Sequence, residues 1–207
     1  MDKLINAKNQ PVIVDACILM VGIDQQNTNP DYSFDVMKQC YLQPVLDYFK
    51  ELKIHEMVWE ELDDERRTLI NPYIGKSVEL VTENNMYGVD PQYTTIFNNI
   101  ADNDLLNYRR GHSKNRGEVY SLAYAAYYGI PFFSTRDGLI IRVMREVSDL
   151  ENIEMLGFEY MLTVGFLGNS QNSELNKRLS SLYKSQCGPA IKQGLIPPTF
   201  NGFLNTL

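Results

Sequence analysis

The sequence predicts an α/β fold: three layers, α/β/α, around a mostly parallel central sheet, with a helical extension at the C-terminal end. Three observations predict it. Short continuous apolar runs, Val12-Ile-Val14 and Ile130-Pro-Phe-Phe133, suit strands buried on both faces. Segments whose apolar residues recur at helical spacing separate such runs. Their alternation implies parallel strands joined by right-handed crossovers.

Pro11-Val-Ile-Val-Asp15 is the first strand. Asp31 or Ser33 can cap the helix that follows, apolar at Val36, Cys40, Val45, Phe49 and Leu52. Pro44 either begins a second helical segment or kinks the first. Lys53-Ile-His-Glu-Met-Val58 reads as a second strand or strand end. It runs into a charged helix from Glu60 to Leu69, which Asn71-Pro72 stops. Ser77 to Thr82 is a third, short strand. After a turn marked by Asn84-Asn85 and Gly88, Pro91 opens a helix near Tyr93 to Leu106.

A basic stretch then precedes a helix from Glu118 to Tyr128, apolar at Val119, Leu122, Ala123, Ala126 and Tyr127 and capped by Gly129. Ile130 to Thr135 is the next strand, with Asp137 just beyond its end. A helix from Gly138 to about Glu146 and a strand near Ile153 to Leu156 complete the order. On this reading residues 1–166 form one domain. Residues 167–207, with a helix near Glu174 to Lys184 and a Pro197-Pro198 break, form the extension.

With 44% hydrophobic and 22% charged residues over 207 positions, the composition is that of a globular protein with a sizeable core. Cys17, Cys40 and Cys187 include no CxxC pair, which argues against a disulfide framework and against a zinc site. His55 and His112 share no ligand spacing with them. A metal held here is held by carboxylates, which favours Mg²⁺ or Mn²⁺. The apolar stretches from Val12 and from Leu122 are too short to span a bilayer, and no targeting pattern is visible. The expectation is a cytoplasmic protein without a membrane partner. The net charge of −7 disfavours indiscriminate binding to a polyanion, so a nucleic-acid function needs a local basic patch or bound cations.

Both have candidates. In open α/β sheets ligands bind outside the carboxyl ends of the strands. Asp15 and Asp137 stand at two such ends, Glu118 begins a helix in the same layer, and Glu61 follows the second strand. Each alone suits a helix cap or a first-turn acid. Four like charges converging without a basic partner repel and raise one another's pKa values, and a divalent cation is the simplest remedy. Two such ions about 4 Å apart activate a water, bind the scissile phosphate and stabilise the leaving oxygen. Arg109, Arg110, His112, Lys114 and Arg116 crowd the approach to Glu118. There the arginines and Lys114 can hold the phosphates of a nucleic acid. Tyr120, Tyr124 and Tyr127 read as core, although tyrosines elsewhere can stack on bases.

Val12-Ile-Val-Asp15-Ala-Cys17, Val58-Trp-Glu-Glu61-Leu62, Gly117-Glu118-Val-Tyr-Ser-Leu-Ala-Tyr-Ala125 and Phe133-Ser-Thr-Arg-Asp137 resemble, in order and spacing, the successive motifs of the PIN family. The resemblance runs over roughly residues 10–165 and ends in Asn152-Ile-Glu-Met-Leu-Gly-Phe, which is similar to that family's last strand. It implies a metal-dependent endoribonuclease that hydrolyses single-stranded RNA with Mg²⁺ or Mn²⁺, as in many toxins of toxin–antitoxin pairs. Asp15, Glu61, Glu118 and Asp137 are then the catalytic metal ligands, and Ser134 and Thr135 support Asp137 or a bound water. Glu60 rivals Glu61, and the acid directly before Leu62 is preferred because the matching motif places it there. Glu118 in a Gly-Glu pair resembles a branch other than the toxins. A structure-specific DNA nuclease is the near alternative, and a non-catalytic PIN-fold binding module the distant one. The implied partners are RNA, an inhibitor or antitoxin protein, and a second copy in a homodimer. Lys177, Arg178, Lys184 and Lys192 lie among apolar residues of the tail, which is expected to pack across the core.

Overall fold

The computed structural model describes residues 1–23, 32–106, 108 and 115–207. Five strands form one sheet: β1 (Val12–Val14), β2 (Leu52–His55), β3 (Val78–Val81), β4 (Phe132–Ser134) and β5 (Glu154–Leu156), in the order β3-β2-β1-β4-β5. Every pairing is parallel. Val12 stands opposite Leu52 on one side and Phe132 on the other. The sheet was expected to be mostly parallel and is wholly so.

Successive strand residues point to opposite faces, and each face carries its own core. Val12, Val14, Leu52, Ile54, Phe132 and Leu156 belong to one, and Ile13, Val81 and Phe133 to the other. Over the second face lie α7 (Pro91–Ala101), α8 (Arg116–Tyr128) and α9 (Gly138–Glu146). The first face is covered by α1 (Asp2–Lys8), α2 (Ala16–Leu19), α3 (Phe34–Met37) and α4 (Gln43–Tyr48). With them pack α10 (Phe158–Gly168), α11 (Ser173–Gln186) and α13 (Phe200–Leu204), while α12 (Gly188–Lys192) joins the last two. The helices α5 (Glu56–Glu61) and α6 (Asp64–Ile70) follow β2 and bury Val58, Leu62 and Ile70 in the same core. Residues of the extension thus share the core of the sheet.

The caps expected at Pro91 and Gly129 are in place, the glycine at φ 64°. Asp31 lies outside the described residues. Ser33 precedes α3, without a side-chain capping bond. Two local expectations change, while Pro44 stands at the start of α4, the first of its two expected readings. The second strand ends at His55, whose Nδ1 accepts the Met57 N–H and caps α5. The charged helix expected from Glu60 to Leu69 is two helices, because Asp63 accepts the Arg66 N–H at 2.8 Å and restarts the chain as an N-cap. Before Pro44 the chain widens into a π-helical turn over Lys38–Leu42. Proline has no N–H for the Cys40 carbonyl, and Asn169 donates to that oxygen at 3.3 Å and to that of Gln39 at 3.1 Å. Among the described residues no helix is long and apolar enough to cross a membrane.

Candidate functional site

β1 and β4 end side by side, and the Asp15 N–H continues their ladder by donating to Ser134 O at 3.0 Å. Asp15 is 1% exposed. Its Oδ2 accepts from Thr135 Oγ1 at 2.8 Å and from the Cys17 thiol at 2.9 Å. Thr135 Oγ1 also accepts the Asp137 N–H at 3.1 Å, so one hydroxyl joins the two aspartates. Asp137 caps α9, its Oδ1 accepting the Leu139 N–H at 2.7 Å. The cap and the site therefore coexist in one residue.

Glu61, the last residue of α5, reaches the same edge from β2. Its carboxylate lies against Gly117 in the first turn of α8: a Cβ there would stand 2.7 Å from Glu61 Oε1 and 3.2 Å from Val58 Cγ2. Only glycine lets that carboxylate, interacting with the Gly117 backbone N–H, sit so close to the helix. Glu118, half-buried, is the next residue of α8.

Electrostatics report the convergence. Burial pushes the Asp15 pKa up, the bonds from Cys17 and Thr135 hold it back, and Asp137 pushes it further. Burial followed by the charges of Asp15, Glu61 and Asp137 lifts Glu118 to about 7. Glu61, exposed as a residue but partly desolvated at its carboxyl, is raised by that desolvation and by Asp15. Among the described residues, no lysine or arginine forms an ion pair with any of the four. The nearest in sequence, Arg136, turns away: its Nε donates to Cys17 O at 2.9 Å and its Nη1 to Gln186 Oε1.

Hard oxygen donors that repel one another fit Mg²⁺ or Mn²⁺ chemically. The four acids are electrostatic neighbours, yet among the described residues no three His, Cys, Asp or Glu side chains draw together closely enough to enclose an ion as they stand.

The remaining candidates separate. Glu60 is exposed and its carbonyl accepts from Arg67 Nη2 at 2.8 Å, whereas Glu61 is the acid that meets Asp15 and Glu118. The Ser134 hydroxyl donates to Leu156 O at 3.0 Å and holds the β4–β5 edge instead of Asp137. Arg109, Arg110, His112 and Lys114 lie outside the described residues. Arg116 opens α8, exposed, with its guanidinium 5.8 Å over the Tyr120 ring. Sequence reasoning missed Cys17, Gly117 and Arg136. A cysteine two residues after a strand-end acid, and a glycine directly before the third acid, were the available signals.

Comparison with protein-family models finds none that matches the chain, and comparison with curated proteins finds no match. The likeness to the PIN family rests on the four quoted motifs.

Proposed function

We propose that the chain is a metal-dependent nuclease of the PIN type, most fittingly an endoribonuclease acting on single-stranded RNA. One observation carries the reading. Four carboxylates from distant parts of the chain come within electrostatic reach of one another at the carboxyl edge of a parallel sheet with no cationic partner among the described residues, and burial together with their mutual repulsion lifts Glu118 to about 7. Evolution of a stable fold has little reason to gather such charges, which destabilise it, unless a cation uses them.

Asp15 and Asp137, joined through Thr135, and Glu61, seated on Gly117, are the residues to hold a divalent ion. Bound there, such an ion supplies positive charge toward a phosphodiester and makes a water molecule more acidic. Glu118, beside these acids at the start of α8, can accept a proton on its carboxylate and return it. Arg116, at the mouth of α8, can hold a flanking phosphate.

The test is cleavage of single-stranded RNA and of DNA by the purified protein with Mn²⁺, Mg²⁺ or EDTA, alongside Asp15→Asn and Asp137→Asn. Metal-dependent cleavage of RNA that both variants lose is expected. Equal cleavage by the variants would expose a contaminant and end the reading, and cleavage of DNA alone would turn it toward a DNA nuclease. A second reading, a PIN-like module that binds without cutting, draws on the acids' failure to close around an ion-sized space as they stand. It predicts no heat of Mn²⁺ binding.

A further inference from the structure

We infer that Gln186, at the end of α11, is a positioning residue for the acidic edge and acts through Arg136. The inference rests on the metal-dependent reading above and extends it to a part of the chain that touches none of the four acids.

The turn Thr135-Arg136-Asp137 holds the site through each of its residues. Thr135 donates to Asp15, the Arg136 N–H donates to Cys17 Sγ at 3.3 Å, and the Asp137 N–H donates back to Thr135. The side chain between the two anchoring residues carries a permanent positive charge beside a cluster of negative ones. Left free, a flexible guanidinium would turn to the carboxylates and occupy the place of a cation. It does not. Its charge is felt by buried Tyr41 and Cys187.

Two acceptors hold it away. One, the Cys17 carbonyl, belongs to the site's own loop. The other, Gln186 Oε1, comes from the C-terminal extension. That acceptor is firmly placed: Leu179, Leu182 and Tyr183 anchor α11 in the core under the sheet, and Tyr183 donates to Pro197 O at 2.7 Å. Ser185 Oγ, one residue before Gln186, meets Tyr32 OH at 2.7 Å. The extension thus keeps Arg136 out of the acids.

Calorimetric Mn²⁺ titration of the full chain tests this without any assay of activity. Gln186→Leu removes the acceptor, so the guanidinium competes for the acids. Mn²⁺ affinity should fall about 10-fold, the lower end of the loss seen when a residue that orients metal ligands is removed. Gln186→Glu keeps an acceptor for Arg136 and should stay within about threefold of the unchanged protein. Adding Arg136→Gln to Gln186→Leu removes the competitor and should restore most of the affinity, a rescue that a merely structural role for Gln186 would not give. Affinity of Gln186→Leu within twofold of the unchanged protein, or a double variant as weak as Gln186→Leu alone, overturns the inference while leaving the metal site standing. Absence of Mn²⁺ uptake by the unchanged protein removes the metal reading itself, and this inference with it.

Discussion

Two groups of carboxylates border β2, and the chain treats them in opposite ways. Near the start of the strand, Lys53 lies opposite Glu79 in the β3 register, 8% exposed, and pairs with Glu79 and with Glu51, the latter at 3.0 Å. Burial works against its ammonium, but the two glutamates outweigh that and raise its pKa. Beyond the strand's other end, Asp15, Glu61, Glu118 and Asp137 face one another with no such lysine among the described residues. A buried cation satisfied by acids is how a fold neutralises charge for its own sake. Acids gathered without one are how a fold keeps a place for a cation from outside.

Activity should break the comparison most sharply. Asp15→Asn and Asp137→Asn should each lower RNA cleavage more than about 100-fold, beyond the loss typical of residues that only orient metal ligands. Glu79→Gln, which removes an acid of the neutralised group, should leave cleavage within about twofold and change stability by less than about 1 kcal/mol. Parallel cleavage assays and urea unfolding check both halves. Comparable loss in Glu79→Gln would erase the distinction.

Stability against pH comes next, and the window in which it changes separates the two groups. Folded Glu118 holds its proton up to about 7 against an ordinary 4.5, so between those values the folded state carries more protons than the unfolded one. Stability therefore falls as pH rises through that window and stays lowered above it. Glu118→Gln should stabilise the metal-free protein at pH 8 by about 1–3 kcal/mol, discounted for the half-exposed carboxyl. Lys53 gives a slope of the same sign in a different window: its contribution is complete below its ordinary 10.5 and lost only as pH rises through a still higher folded value, so it is constant between pH 4.5 and 8. His55, buried and held down to about 4 by desolvation, makes stability rise with pH from about 4 to its ordinary 6.5. That slope opposes the Glu118 slope, so Glu118→Gln should unmask a steeper rise below pH 6.5. Unfolding curves at pH 4.5, 6.5 and 8 decide, and a Glu118→Gln variant less stable than the parent at pH 8 contradicts the account.

How far the sequence reveals this contrast depends on the distance over which each part is determined. Val12-Ile-Val14 and Phe132-Phe133 are legible because a strand buried on both faces must be apolar throughout, and the acids at their ends follow from the sheet's polarity. The Lys53–Glu79 register and the Gln186–Arg136 bond were hidden, since neither pair shares a local pattern: each exists only once remote segments have docked. Helix α1 was missed for a related reason, since it buries only Leu4 and Ala7 and shows little periodicity. The break between α5 and α6 was readable in retrospect from Asp63, three residues before the buried Arg66 whose N–H it caps.

Gly117 offers a smaller lever on the same contrast. Gly117→Ala places a Cβ 2.7 Å from Glu61 Oε1, too close for both to stay. The carboxylate is the movable partner, so it should swing out of the acidic group. Mn²⁺ affinity should fall about 10-fold, while helix propensity in α8 improves by somewhat under about 1 kcal/mol. Weaker metal binding in a protein no less stable to urea is the expected pair of results. Unaltered Mn²⁺ affinity would remove Glu61 from the ligand set and return Glu60 to consideration.

Cys17 should give the smallest effect, and the most specific. Its thiol donates to Asp15 Oδ2 at 2.9 Å and helps the buried carboxylate carry its charge against desolvation. Cys17→Ala removes that donor and leaves Thr135 as the remaining side-chain donor to Asp15. A net hydrogen bond to a charged group is worth about 1.5–3 kcal/mol at most and less where a second donor persists. Asp15 should therefore ionise at a higher pH, and the pH at which Mn²⁺ first stabilises the fold should move up by roughly half a unit to one unit. Cys17→Ser keeps a hydroxyl donor at the same place and should leave that midpoint almost unmoved. Thermal melts with and without Mn²⁺ from pH 5 to 8 read the shift.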